Sequence, residues 1–163
     1  MKSIFSYQTV LGEIRIAENG AAITNLYFQG DTIPTEVVVQ ETELLREAAQ
    51  QLREYLTGKR TNFSLPLAPE GTRFMLHVWE ALCSIPYGDT RSYGDVANSI
   101  GKKKASRAVG MANNKNPIPI FIPCHRVVGK NGKLVGYRGG LQMKERLLEL
   151  EKHLYKNECR FNY

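Results

Sequence analysis

The chain reads as an α+β protein, a small strand-rich N-terminal part followed by a helical C-terminal part. Three observations lead there. The first thirty residues alternate polar and apolar positions in the manner of half-buried strands. From Thr72 onward the apolar spacing turns helical. The charge divides at the same place: residues 1–70 carry 6 Lys/Arg against 9 Asp/Glu, a net of −3, whereas residues 71–163 carry 16 against 7, a net of +9. A length of 163 residues fits one domain or a small domain pair. No apolar run is long enough to span a membrane, and Met1-Lys2-Ser3-Ile4-Phe5-Ser6 lacks the apolar stretch of a secretory signal. A cytoplasmic location without membrane contact is therefore expected. The 3 cysteines leave one unpaired under any disulfide scheme, which fits a reducing compartment.

In the N-terminal part, Glu13 to Glu18 alternates as a strand, Asn19-Gly20 offers a type I′ turn, and Ala22 to Phe28 returns as the next strand. Residues 41–57 place Leu44, Leu45, Ala48, Leu52, Tyr55 and Leu56 on one helical stripe, with Gly58 as the stop. Lys59 to Gly71, with Pro66 and Pro69, reads as a linker. The expected organisation is a scaffold domain over 1–71, a second domain over 72–155, and a tail over 156–163.

Thr72 can cap a helix carrying Phe74, Val78, Ala81, Leu82 and Ile85, which Pro86-Tyr87-Gly88-Asp89 ends. Ser92 and Asp95 have capping-box spacing for a short helix, Tyr93 to Ile100. After Gly101 a second short helix, Lys104 to Asn113, completes either a helix-turn-helix or a plain helical hairpin. The basic surroundings mark either a polyanion-binding surface or a solvated face, and Lys102-Lys103-Lys104 either faces phosphate or forms a solvated loop. The second helix, Ala105 to Ala112, is rich in small residues and has a single arginine, Arg107. A major-groove reader needs long polar side chains. A smooth helix suits close backbone approach with one inserted side chain.

Asn116 to Val128 carries the chemistry. Pro117, Pro119 and Pro123 exclude a helix and predict an extended, rigid, buried strand that delivers Cys124, His125 and Arg126 at its end. Cys124 is either an inert buried thiol or one activated by His125 and Arg126. The last helix, Leu141 to Tyr155, has Leu141, Leu147, Leu148 and Leu154 on its apolar stripe, and Glu151 falls on that stripe. A carboxylate there either reaches solvent at the margin or needs a buried partner, for which His125 is a candidate. A Glu–His–Cys relay would draw the proton from sulfur. His77 and His153 read as structural or surface groups, Cys83 as core, and Cys159 as an exposed bystander.

Pro123-Cys124-His125-Arg126-Val127, preceded by Asn116-Pro117 and followed by Gly139-Gly140 and Leu147-Leu148-Glu149-Leu150-Glu151, resembles the O6-alkylguanine-DNA alkyltransferase family, the methylated-DNA–protein-cysteine methyltransferases. The resemblance runs from about Phe74 to Glu151. It implies a ribonuclease H-like N-terminal domain and a C-terminal helical (winged) helix-turn-helix domain holding the active-site cysteine. It implies Cys124 as alkyl acceptor, His125 acting through a water, Glu151 orienting His125, and Asn116 holding the turn before the active-site segment. Tyr93 would donate a proton to the guanine and press on the phosphate of the flipped nucleotide. Tyr137, Pro119 and Val127 would line the alkyl pocket, and Lys144 would polarise the tyrosine near it. Arg138 stands where many members carry a small residue, so it would offer its backbone amide to the substrate or its side chain to phosphate. Arg107 would enter the base stack, with Ala105, Ser106, Ala108, Gly110, Asn113 and Arg126 as the other DNA-contacting positions. No cofactor is implied, and the N-terminal zinc site of some members has no counterpart, because no cysteine precedes Cys83 and no histidine precedes His77.

The implied reaction attacks a saturated carbon, so it needs a thiolate in line and a protonated leaving purine rather than an oxyanion hole. A cysteine near pKa 8.5 is only about 3% ionised at pH 7, so a pKa lowered by about two to three units is expected. The lesion must be flipped out of the duplex. The thioether product does not hydrolyse, so each molecule acts once. The implied partner is double-stranded DNA met through the minor groove, by a monomer that can be cooperative on DNA. Two other readings remain at this point: a lesion-binding relative that does not transfer the group, and a redox-sensing helix-turn-helix regulator using Cys124.

Overall fold

The computed structural model describes the backbone of residues 1–161 and the side chains of residues 1–153. The chain divides into two compact units, Met1–Glu70 and Gly71–Tyr163.

In the first unit, β1 (Lys2–Thr9), β2 (Gly12–Glu18), β3 (Ile23–Phe28) and β4 (Val37–Val39) form a mixed sheet in the order β3-β2-β1-β4. The pairs β1–β2 and β2–β3 are antiparallel, and β4 runs parallel to β1. Alternation buries Ile14, Ile16, Ile23, Leu26 and Phe28. Helix α1 (Glu43–Leu56), capped by the Thr42 side chain on the Leu45 N–H, covers the sheet with Leu45, Ala48, Ala49, Leu52 and Tyr55. Leu44 and Leu56 sit at the margin of this stripe rather than within it.

Two expectations for this unit need correction. Asn19-Gly20 is not a two-residue type I′ turn, because Gly20 has positive φ and Asn19 does not. Asn19 instead accepts the Ala21 and Ala22 N–H groups on its side-chain oxygen and makes a longer loop between β2 and β3. The segment read as a linker is partly sheet edge: the Ile23 N–H donates to the Pro66 carbonyl at 2.8 Å, and the Ala68 N–H donates to the Ile23 carbonyl at 2.8 Å. This pairing leaves Pro66, which has no N–H, as an acceptor only.

The second unit opens with α2 (Arg73–Cys83), whose N-cap Thr72 accepts from the Met75 N–H. Two-residue β5 (Arg91–Ser92) leads into α3 (Tyr93–Ser99) through a Ser92/Asp95 capping box. Gly101, at φ +73°, turns the chain toward α4 (Ser106–Asn114), which starts two residues later than the spacing predicts. Helices α2, α3 and α4 pack on one another around Val78, Leu82, Val96, Ala97, Val109 and Ala112. The Trp79 indole N–H donates to the Ala112 carbonyl at 2.8 Å, fixing α4 on α2. Cys83 is exposed at the last residue of α2, not core, because the buried face of that helix passes through Val78, Trp79 and Leu82. His77 and His153 are exposed.

After α4 the chain makes a tight turn and a 3₁₀ turn over Cys124–Arg126, then β6 (Val127–Val128), a winglike loop, and α5 (Leu141–Phe161). Strand β6 pairs parallel with β5, Arg91 opposite Val127 and Ser92 opposite Val128. This small ladder sets the start of α3 beside the Cys-His-Arg turn. The side chains of Leu154 and Cys159 lie outside the described residues.

Candidate active site

The segment 117–123 is not the extended strand that its prolines predict. The Ile122 N–H bonds back to the Ile118 carbonyl at 2.9 Å, and Ile120 sits at φ +75°. A β-branched residue in that region is strained. Burial of Ile118, Ile120, Phe121 and Ile122 holds it there. Asn116 clasps the turn from inside: its Nδ2 donates to the Ile122 carbonyl at 2.8 Å, and its Oδ1 accepts the Ile118 N–H at 3.0 Å. Pro123 then starts the 3₁₀ turn whose first residue is Cys124.

Around Cys124 the charges and polar groups are arranged by four elements. Cys124 is only 4% exposed. Burial pushes its pKa up to about 11, although the Asn116 side chain and the charges of Lys144 and Arg138 pull the other way. The pre-formed thiolate expected from the sequence is therefore corrected: in the DNA-free protein this thiol keeps its proton, because desolvation exceeds the help of its neighbours. From α3, Tyr93 lays its ring against Gly110 of α4 and donates its hydroxyl to the Val135 carbonyl of the wing at 3.0 Å. Burial, with the Cys124 charge second, raises the Tyr93 pKa; burial and then Cys124 also raise Tyr137, with Glu151 adding to the shift and Arg138 opposing it.

Behind the cysteine, His125 and Glu151 are both fully enclosed, His125 Nε2 lying 2.7 Å from Glu151 Oε2. Burial works against a charged Glu151, but the His125 hydrogen bond and charge and then the Arg126 guanidinium hold its pKa at about 2. Burial, more than offsetting the pull of Glu151, lowers the His125 pKa, so the ring is neutral at pH 7. An ionised Glu151 places the imidazole proton on Nε2 and leaves the lone pair on Nδ1. The Gly88 N–H, 3.2 Å from Glu151 Oε1, adds a further donor to the carboxylate. Nothing in Pro86-Tyr87-Gly88-Asp89 beyond its turn composition announces that contact.

Several positions named from the sequence do other work. Arg126 does not face DNA: it is buried, binding Glu151 through Nε at 2.8 Å and Nη2 at 3.0 Å and the Ile85 carbonyl through Nη1 at 2.7 Å. Lys144 donates to backbone carbonyls rather than to a tyrosine hydroxyl. Its buried ammonium donates to the carbonyls of Val127 at 2.7 Å, Val135 at 2.9 Å and Gly136 at 3.3 Å, which uses all three protons. Asn113 is buried on α4 and donates to the Cys124 carbonyl at 3.3 Å, so it too is withdrawn from DNA. Val127 is fully buried beneath the site. Pro119 is buried, Arg138 is exposed, Arg107 and Ala108 are exposed on α4, and Ala105, Ser106 and Gly110 are half-buried. Among the described residues no group of three or more His, Cys, Asp or Glu is placed to hold a metal ion.

Comparison with known proteins shows which family the chain belongs to. Residues 73–153 match the family model for the 6-O-methylguanine DNA methyltransferase DNA-binding domain, and residues 5–69 match the ribonuclease-like domain of the same proteins. The chain belongs to the 6-O-methylguanine DNA methyltransferase family. It is 50% identical over 149 residues to the methylated-DNA–protein-cysteine methyltransferase of Methanosarcina barkeri, covering 90% of this chain and 94% of that protein. It is 49% identical over 158 residues to the constitutive enzyme of Bacillus subtilis, covering 93% and 96%. The solved structure of Mycobacterium tuberculosis OGT in complex with DNA superposes with a TM-score of 0.89 at 43% identity, covering 93% of this chain and 94% of that one. The architecture is thus the methyltransferase one, a ribonuclease-like domain with a mixed sheet and a helical DNA-binding domain. No helix among the described residues is long and apolar enough to cross a membrane.

Proposed function

We propose that this methylated-DNA–protein-cysteine methyltransferase repairs O6-methylguanine in DNA by moving the alkyl group irreversibly onto Cys124, once per molecule. The observation that carries the reading is the enclosed Cys124 one residue before a His125–Glu151 pair, inside the region matching the family's DNA-binding domain.

The step balances simply. A Cys124 S–C bond forms as the guanine O6–C bond breaks, and one proton moves in sum from sulfur to the purine. Because the resting thiol is protonated, its proton must leave as attack begins. Neutral His125, with Nδ1 as its basic atom, accepts it through a water. The Glu151 carboxylate holds the resulting imidazolium. Tyr93, whose raised pKa keeps it protonated, gives its proton to the departing purine and is reprotonated with the proton that the imidazolium releases, which leaves Tyr93 and His125 both neutral. Tyr137 and Pro119 flank the alkyl group, and Asn116 fixes the turn that presents the sulfur. O4-alkylthymine, which offers the same kind of carbon, is a second substrate.

Reaching that sulfur requires the nucleotide to leave the helix, which costs a few kcal/mol, less for a mispaired damaged base. The exposed Arg107, flanked by the small residues Ala105, Ser106, Ala108 and Gly110, supports minor-groove entry with its side chain filling the vacated stack. The protein works as a cytoplasmic monomer that binds duplex DNA. Incubation with a duplex containing O6-methylguanine followed by peptide mapping tests the reading: 14 Da is expected on the peptide holding Cys124. Cys124→Ala should bind the duplex and transfer nothing, and transfer by that variant would refute the acceptor assignment.

A further inference from the structure

Building on the reading that α4 faces DNA, we propose that Met111 is a second DNA-contacting side chain, an apolar wedge in the minor groove one helical turn beyond Arg107. The inward face of α4 is Val109, Ala112 and Asn113, and the outward face is Arg107, Ala108, Met111, Asn114 and Lys115. Positions 107 and 111 are four apart, so their side chains stand on one stripe, about 6 Å from each other along the axis.

Met111 is 61% exposed, more than any other large apolar side chain described in the second unit. A single exposed methionine is ordinary on a protein surface, and its location is what gives it meaning. It lies between Arg107 and Lys115, on the helix that follows Lys102-Lys103-Lys104, where the surface complements a polyanion. The same helix lies within the matched DNA-binding region.

The groove floor of sugar and base edges offers apolar surface, and apolar side chains inserted at base steps help kink the duplex. An unbranched thioether adapts to that surface without a hydrogen bond to satisfy. Its contact therefore adds to binding of any sequence and adds most where the stack is already opened by Arg107. Such a contact releases no counterion, which separates it from the phosphate contacts around it.

The test compares the full-length protein with Met111→Ala, Met111→Leu and Arg107→Ala. Affinity and single-turnover transfer on an O6-methylguanine duplex are measured at several salt concentrations, and transfer from free O6-methylguanine base is measured alongside. Met111→Ala should lose about tenfold in affinity and rate on the duplex with an unchanged salt slope and an unchanged free-base rate, and Met111→Leu should restore most of the loss. Met111→Ala equal to the parent on duplex overturns the wedge even where Arg107→Ala is slow. If neither variant is impaired, the assignment of α4 to the DNA face fails with it. An equal loss on free base, or a shallower salt slope, also overturns the wedge.

Discussion

Arg126 and Glu151 form a two-pronged ion pair, Nε to Oε1 at 2.8 Å and Nη2 to Oε2 at 3.0 Å, and the same Oε2 holds His125 at 2.7 Å. One buried carboxylate thus holds the Arg126 guanidinium and the imidazole to which the proposed mechanism gives the proton. Glu151→Gln keeps the shape but strands the Arg126 charge, so it should lower stability by about 3–5 kcal/mol. It should also slow transfer by at least about tenfold, since the imidazolium loses its counter-charge. Denaturant titration and single-turnover kinetics on the same preparation check both effects.

Acid should act through the same group. The Glu151 pKa falls from 4.5 to about 2 on folding, so its stabilisation is complete above pH 4.5 and is lost as pH falls toward 2. That is about 3 kcal/mol. His125, whose folded pKa is lowered, adds loss of the same sign as pH drops through the ordinary histidine value near 6.5. Unfolding free energies measured between pH 7 and pH 3 should decline in that order, and the Glu151→Gln variant should lack the lower portion.

The N-terminal strands, the capped helices and the place of Glu151 on an apolar stripe are legible because each rests on a local rule: alternation, a cap at fixed offset, or a charge at helical spacing. The pairing of Glu151 with His125 stays one of two readings until the fold brings them together. The turn at Ile120 is not legible, because local rules take Pro117, Pro119 and Pro123 as extended and give a β-branched residue no reason to adopt positive φ. Only burial of its neighbours and the Asn116 clasp produce it. Strands β5 and β6 are two residues each, too short to show a period, yet their pairing brings Tyr93 to the site. For Arg126 and Asn113 the resemblance implies DNA contact, and for Lys144 a place beside the substrate tyrosine. Their partners, one carboxylate and several backbone carbonyls, depend on chain crossings that spacing does not encode.

Lys144 and Tyr93 donate to the same Val135 carbonyl, so the wing is pinned from α5 and from α3 together. Lys144→Met keeps the length of the side chain and removes all three donors. It should destabilise the protein by at least about 2 kcal/mol. Amide exchange should quicken through residues 133–137, whereas the strands of the first unit should exchange as before. Hydrogen-exchange mass spectrometry reads both.

Gly136 is a wing position where both conformation and space resist a side chain. Its φ is +53°, and an added Cβ would lie 3.2 Å from the Asn114 side-chain oxygen. Gly136→Ala should cost about 1–2 kcal/mol and loosen the wing. Its effect on transfer should be partly recovered by Asn114→Ala, which makes room for the methyl but leaves the backbone strain.

Stoichiometry tests the central claim most directly. With a large excess of O6-methylguanine duplex, guanine formed should rise to one per protein molecule and stop, with one methyl group on the Cys124 peptide and none elsewhere. Continued product formation beyond that plateau, or a full plateau with Cys124 unmodified, would contradict the account.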